Sequence, residues 1–271
     1  MTLPNAVDAH AHVMSKSAPL IEGCHSAPDR DVKVEDFLAM LDEYGLAYGV
    51  LTAPSFYGSD NSLLLQALGS ERKRLRGTAI VEPDVAMSEL QAMNDQGVVG
   101  IRLNWVRRAL LPDVGTPQYQ RLFEKVKELD WHIEIFLEST KLPDVLPSVR
   151  RCGVNVVLDH FALPDPGQGV RGAGFQLALN AMREGNTWVK LSAPYRLGGA
   201  DPQQYVDALM EAGGPQRLMW ASDWPWVQHA DERTYRQCLA WLTDWVPNEA
   251  TRKVVLCDTP GALFKFGFVA I

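Results

Sequence analysis

Several kinds of protein are excluded by what this sequence lacks. Its four cysteines, Cys24, Cys152, Cys238 and Cys257, are scattered with no Cys-x-x-Cys pair. That excludes a cysteine-based structural zinc site and a disulfide scaffold, and suits a reduced protein. No stretch approaches the roughly 20 apolar residues of a membrane span, and no basic region leads into an apolar run at the N-terminus, so no signal peptide is expected. Basic residues are in the minority: 26 Lys and Arg face 33 Asp and Glu, a formal net charge of -7. A general nucleic-acid binder would show the opposite balance, although a local basic pocket for an acidic substrate is still allowed. Low-complexity tracts and internal repeats are absent as well. The 271 residues, 46% hydrophobic and 22% charged, describe a soluble, cytoplasmic globular chain long enough for one large domain or two small ones.

What is present is an alternation of short β-rich runs with longer amphipathic segments. Strands are expected at Ala6–His12, Tyr48–Pro54, Arg76–Val81, Val98–Asn104, His132–Glu138, Val154–His160, Thr187–Ala193 and Arg217–Asp223. Helical spacing of apolar residues marks Val34–Tyr44, Asn61–Arg72, Tyr119–Leu129, Gly174–Glu184 and Gln203–Ala212, with two more helices around Asp231–Trp245 and Asn248–Cys257. Eight β/α units predict a single (β/α)8 barrel spanning residues 1–271 as one domain. An open doubly wound sheet is disfavoured because no G-x-G-x-x-G turn follows the first strand. In the fourth strand Val99, Ile101 and Leu103 share the face expected against the helices, while Arg102 and Asn104 point into the barrel. Buried charges there must be paired, and Lys190 is expected to brace the barrel through Glu134 or Asp8.

In such a barrel the chemistry gathers where strands end. The first strand ends in His10 and His12, which two-residue periodicity turns to one side. The second runs into Ser55 and Tyr57, the fourth ends in Arg102 and Asn104 with Arg108 beyond, and the sixth ends in Asp159-His160. Tyr195-Arg196 follows the seventh, and the eighth finishes at Ser222-Asp223. Each alone has an ordinary structural explanation: a hydrogen-bonded histidine, a loop-capping aspartate, a solvated arginine. His25, His132 and His229 show no partner pattern and are given that explanation. Three histidines and a carboxylate at separate strand ends of one barrel point instead to a shared active site.

The Asp8–His12 stretch, Gly100-Ile101-Arg102-Leu103-Asn104, Leu158-Asp159-His160, Lys190-Leu191-Ser192 and Trp220–Trp226 together resemble the amidohydrolase superfamily. They are most similar to its amidohydrolase-2 group, which contains pyrone-dicarboxylate lactonases and sugar-lactone hydrolases. The resemblance implies that Asp223 is the base that activates water. It implies that His10, His12 and His160 polarise a lactone carbonyl or hold the water. Arg102, Arg108 and Arg196 would grip a carboxylate-bearing substrate through their planar forks, with Ser55, Tyr57 and Asn104 in the same pocket. Dicarboxylate lactonases carry an arginine three residues after the sixth-strand histidine, where this chain has Leu163, so a smaller or differently charged lactone is expected.

A catalytic zinc takes three protein ligands and an open position. His10, His12 and Asp223 would supply them, with His160 as a fourth ligand or as the acid/base. The fifth strand ends in Phe136-Leu137-Glu138, without the histidine or lysine that many amidohydrolases use there, so the expectation is hydrolysis without a metal, the alternative being one zinc ion. The rivals are a zinc-dependent non-oxidative decarboxylase and a non-catalytic binding barrel. The expected partner is a small anionic lactone, with no nucleic acid and no membrane; an oligomer is compatible with the sequence.

Overall fold

The computed structural model describes residues 4–24, 26–230 and 233–267. Eight parallel strands form a (β/α)8 barrel in sequential order: β1 Val7–Ala11, β2 Tyr48–Thr52, β3 Leu75–Ala79, β4 Val98–Asn104, β5 His132–Phe136, β6 Asn155–Leu158, β7 Thr187–Leu191 and β8 Leu218–Trp220. The seam between β8 and β1 is joined by the parallel bridge Ala11–Trp224 and by the Asp223 N–H donating to the His10 carbonyl at 3.0 Å. All eight expected strands are present. Most are shorter, because the last residues of each run leave the ladder to form the site.

Two register shifts alter which side chains face inward. In β1 the pairing slips between Asp8 and Ala11, so Val7 and Ala9 join the apolar cluster of Val50, Val157 and Met219 inside the barrel, which Phe264 and Phe266 also enter. Asp8 instead meets Ser222 and Tyr235, accepting from their hydroxyls at 2.5 and 2.8 Å. It is not the partner of Lys190 that the simple two-residue repeat allowed. A second slip opposite β3, between Gly77 and Thr78, puts Val99 into the same inner cluster, whereas Ile101 and Leu103 pack outward with the helices as expected. A strand bulge reverses the alternation locally, and nothing in the apolar pattern marks one.

The helices α1 Val34–Tyr44, α2 Ser62–Ser70, α4 Pro117–Glu128, α6 Ala173–Glu184, α7 Pro202–Gly213 and α8 Tyr235–Trp245 occupy the anticipated segments; Asp231 and Glu232, placed in the last by its pattern, lie outside the described residues. The stretch expected as a helix over Asn248–Cys257 is α9 Glu249–Lys253 followed by a wider π turn, Val254–Asp258, and then α10 Thr259–Leu263. Two helices lie outside the segments expected from the pattern, α3 Met87–Asp95 and α5 Leu142–Arg151. In α5 the buried Leu142, Val145, Leu146 and Val149 keep helical spacing, but Pro147 lies inside, where a proline ordinarily breaks a helix. Among the described residues no helix is long and apolar enough to cross a membrane.

At the start of α6, Gly174 packs directly on the Ser139 backbone that follows β5; a Cβ there would overlap the Ser139 carbonyl. Backbone on backbone leaves nothing to yield, so Gly174→Ala should destabilise the fold by about 2 kcal/mol or more, the upper range for overpacking. Chemical denaturation reads this directly; an unchanged midpoint would show that the contact is loose.

Candidate active site

The strand ends bring His10, His12, His160 and Asp223 together, all at 7% exposure or less. His10 Nε2 lies 3.2 Å from His12 Nε2. The other ring nitrogen of His12 is 2.7 Å from the Thr52 carbonyl. A carbonyl only accepts, so His12 carries a proton on Nδ1, and the neutral ring then has its lone pair at Nε2. His160 Nδ1 pairs with Ser192 Oγ at 2.8 Å. Asp223 Oδ2 accepts from Tyr195 Oη at 2.6 Å and Arg196 Nη2 at 3.0 Å. Its other oxygen, Oδ1, faces the Nε2 atoms of His10, His12 and His160 at 3.6, 3.7 and 3.8 Å.

Burial alone would raise the Asp223 carboxyl, but His160, Arg196, His12 and His10 outweigh it and hold it well below the ordinary carboxylate range. Burial lowers His160 to about 3 and pushes His10 well below its usual value, the latter aided by Lys190. The centre is therefore one ionised carboxylate beside the His10 and His160 imidazoles, which remain neutral near pH 7.

Its backbone is held under strain. Asp223 has φ +58° and Ala193, after β7, φ +50°; after β6, four consecutive non-glycine residues are left-handed, His160 (+48°), Phe161 (+59°), Ala162 (+60°) and Leu163 (+42°). Each costs on the order of 1–2 kcal/mol, which packing must overcome. Phe161 is fully buried edge-on to Trp245, the Leu163 carbonyl accepts from Ser139 N–H at 2.9 Å, and the His160 ring packs edge-on to Phe136.

Beneath the centre lies a buried ion cluster. Lys190 Nζ reaches Glu134 at 2.5 Å, Asp159 at 3.2 Å and His10 Nδ1 at 2.9 Å, so of its two expected partners Glu134 is the one it meets. Arg102 pairs with Asp159 at 2.8 Å and Glu134 at 3.1 Å, and donates to the Ala53 carbonyl at 3.3 Å. Burial tends to raise both carboxyls. In Asp159 the cations Lys190 and Arg102 and the neighbouring His10 prevail and lower it well below the normal range, whereas burial and Asp159 push Glu134 up to about 7.

This arrangement revises several expected substrate contacts. The Arg102 guanidinium, expected as a free carboxylate clamp, is already committed to two carboxylates. The Tyr57 hydroxyl donates to the Ser15 carbonyl at 2.7 Å and accepts from the Ser15 N–H at 2.8 Å, so it braces the loop after β1. Ser55 and Asn104 do line the floor of the site with His12, Arg102, His160, Arg196 and Asp223. Arg108 does not reach that floor; it lines an adjoining cavity of about 450 Å³ together with Ser55, Tyr57, Arg102 and Asn104. A second cavity, about 400 Å³, adjoins on the opposite side and includes Phe136, Leu163, Tyr195, Arg196 and His229. Tyr195 is a site residue that the sequence pattern does not single out; its place beside Arg196 after β7 is the available signal. Of the histidines given a structural explanation, His132 is buried on Thr78 Oγ1 at 3.3 Å, the His229 ring packs tilted against Tyr195 with centroids 4.7 Å apart, and His25 lies outside the described residues.

The donor set also fits a divalent ion. Two ligands 2.1 Å from a tetrahedral centre stand about 3.4 Å apart; here the separations among His10 Nε2, His12 Nε2 and Asp223 Oδ1 are 3.2, 3.6 and 3.7 Å. The Thr52 carbonyl that fixes the His12 tautomer is the kind of outer contact that orients a ligand. A second convergence, His10, Asp159 and His160, shares His10 and is already engaged by Lys190 and Arg102.

Arg102→Met would leave Asp159 and Glu134 short of a cation, and stability should fall by about 3 kcal/mol at pH 8, where both carboxyls are charged. The loss should shrink at pH 5, where Glu134 takes a proton. Denaturation at the two pH values tests this; unchanged stability with only a raised KM would restore the clamp.

A family model described as amidohydrolase matches residues 7–266. The chain is 30% identical to a 2-pyrone-4,6-dicarboxylate hydrolase of Comamonas testosteroni, covering 96% of this chain and 90% of that one. It is 26% identical to a 4-sulfomuconolactone hydrolase of Hydrogenophaga intermedia, covering 96% and 89%. Among solved structures, a probable 2-pyrone-4,6-dicarboxylic acid hydrolase from Acinetobacter baumannii with citric acid bound is similar at 34% identity and a TM-score of 0.91, covering 97% of this chain and all of that one.

Proposed function

The chain belongs to the amidohydrolase family, and within it we propose a hydrolase that opens a small anionic lactone, with Asp223 as the base for the attacking water. The observation that carries this reading is the division of labour within one carboxylate. Tyr195 and Arg196 hold Asp223 Oδ2, while Oδ1 faces three imidazoles at 3.6–3.8 Å. The similarity to hydrolases of two lactones supports the substrate class.

In the proposed reaction, water oxygen bonds to the lactone carbonyl carbon as its proton passes to Asp223 Oδ1. The carbonyl oxygen becomes an oxyanion, which needs donors aimed at it; the Arg196 Nε–H, buried with no partner, is one available group. The tetrahedral carbon then expels the ring oxygen, which takes the proton back from Asp223, and a hydroxy acid leaves. His12, with its proton held on Nδ1 by Thr52, offers a lone pair to orient the water.

Asp223 held so far down is an ionised but weak base, so proton transfer works best with a more acidic water. That point and the ligand spacing favour a second reading, in which His10, His12 and Asp223 hold one divalent ion. Bound there, such an ion would supply Lewis acidity toward water and carbonyl.

Asp223→Asn should cut lactone turnover by about 10²–10⁴-fold, the usual worth of a general base, with the fold intact by circular dichroism; near wild-type turnover would sink the base assignment. Metal content of the purified protein, assayed before and after chelation alongside activity, separates the two readings. Stoichiometric metal with chelator-sensitive turnover would establish the ion, and retained turnover in metal-free protein would remove it.

A further inference from the structure

Ser192 directly follows β7, and its hydroxyl touches the centre through the far side of the His160 ring. We infer that Ser192 is a positioning residue: its hydroxyl donates to His160 Nδ1 and so keeps the His160 hydrogen on Nε2, aimed at a reacting oxygen. What the hydrogen does there rests on the lactone-hydrolase reading; where it sits depends on the protein alone.

The 2.8 Å between Ser192 Oγ and His160 Nδ1 leaves the direction of the bond open, and the neighbours decide it. Both residues are 1% exposed. Among the described residues the Ser192 hydroxyl has no partner besides His160. If Nδ1 carried the hydrogen and donated it, the hydroxyl hydrogen would be buried without an acceptor, which folded proteins avoid. The Nε2 lone pair would also face Asp223 Oδ1, a negatively charged acceptor 3.8 Å away. A donating hydroxyl removes both conflicts. The ring is neutral near pH 7 because of its burial, so its single hydrogen is then on Nε2.

The backbone holds both partners of this bond in place. His160 has φ +48°, and Ala193, next to Ser192, has φ +50°. Strained conformations of this kind persist where the surroundings over-determine them, and here they stand at the two ends of one hydrogen bond. The His160 ring also packs edge-on to Phe136, with centroids 4.9 Å apart. It cannot turn to exchange its nitrogens without breaking both contacts.

His12 has the reverse arrangement, with its Nδ1–H on the Thr52 carbonyl at 2.7 Å. Of the imidazoles that face Asp223 Oδ1, His12 when neutral offers a lone pair, whereas His160 offers a hydrogen. The 3.8 Å to Asp223 is too long for a hydrogen bond, so the Nε2–H is left for a substrate. As the lactone carbonyl oxygen becomes an oxyanion, it accepts this bond, with the buried Arg196 Nε–H as the second donor. The hydrogen stays on His160 throughout, and the proton of the attacking water still passes to Asp223. In this tautomer His160 has no lone pair directed at the centre, which limits any ligand set there to His10, His12 and Asp223.

Long-range proton–nitrogen NMR on histidine-labelled protein reads the tautomer of each ring, and His160→Gln identifies the signals of this one. The wild type should carry the His160 hydrogen on Nε2. Ser192→Ala should move part of the population to Nδ1, and Ser192→Thr, which restores a hydroxyl, should reverse the shift. With a lactone substrate, Ser192→Ala should lower kcat by about tenfold or more, toward the loss of a whole oxyanion donor. Its KM should change by less than about twofold, and Ser192→Thr should recover most of the rate. A hydrogen on Nδ1 in the wild type would overturn the inference, and this spectrum decides even if a variant does not fold. An alanine variant with unchanged tautomer, or with its loss confined to KM, would also overturn it while leaving lactone hydrolysis standing. If no lactone is turned over but the tautomer follows the hydroxyl, the hydrolase reading fails and the positioning by Ser192 survives.

Discussion

A lysine ammonium fully removed from water is the constraint on which the centre of this barrel depends. Lys190 has no access to solvent and must find its compensation in Glu134, Asp159 and His10. Those residues come from β5, the end of β6 and β1, so one charge on β7 ties together four strands. Arg102 closes the set from β4. Buried ion pairs add little net stability but exact a large penalty when one partner is lost. The cluster is thus better understood as a device that fixes register, and the residue it fixes at its upper edge is His10.

The same cluster reaches into the chemistry through a proton position. If the Lys190 ammonium donates to His10 Nδ1, His10 carries its hydrogen on Nε2 and points it at the lone pair of His12. The result is an unbroken chain from Glu134 through Lys190, His10 and His12 to the Thr52 carbonyl. If His10 instead keeps its hydrogen on Nδ1, directed at Asp159 Oδ1 3.3 Å away, then two lone pairs face each other across 3.2 Å, an arrangement that calls for a cation between them. The tautomer of one imidazole thus separates the two proposed modes of hydrolysis, and a spectroscopic assignment of His10 would distinguish them without any substrate.

Much of this was legible from the residues alone. Hydrophobic alternation located all eight strands because each carries its β-branched and aliphatic residues in short, bounded runs. The pairing of His10 with His12, and their meeting with His160 and Asp223, followed from placing strand ends on one face of a barrel. Other features left no trace in the pattern. The slips in β1 and β4 moved Asp8 and Val99 to the other side of the wall, and a bulge is a backbone event that side-chain periodicity does not encode. The roles of Arg102 and Tyr57 depended on which neighbour consumed their donors, a matter of distances across the barrel. Helix α5 was hidden by Pro147, an instance of tertiary packing overriding local preference.

The run from His160 to Leu163 has a consequence for anyone who would harden this protein against heat. Four consecutive L-residues in a left-handed conformation, with no glycine among them, represent free energy that a protein engineer would normally reclaim by substituting glycine or asparagine. Here that reserve secures the ring of His160 at one end and the side chain of Leu163 at the other. Relief of strain would widen the range of poses open to both. The most obvious target for thermal improvement is therefore the segment where the placement of the His160 ring would be given up.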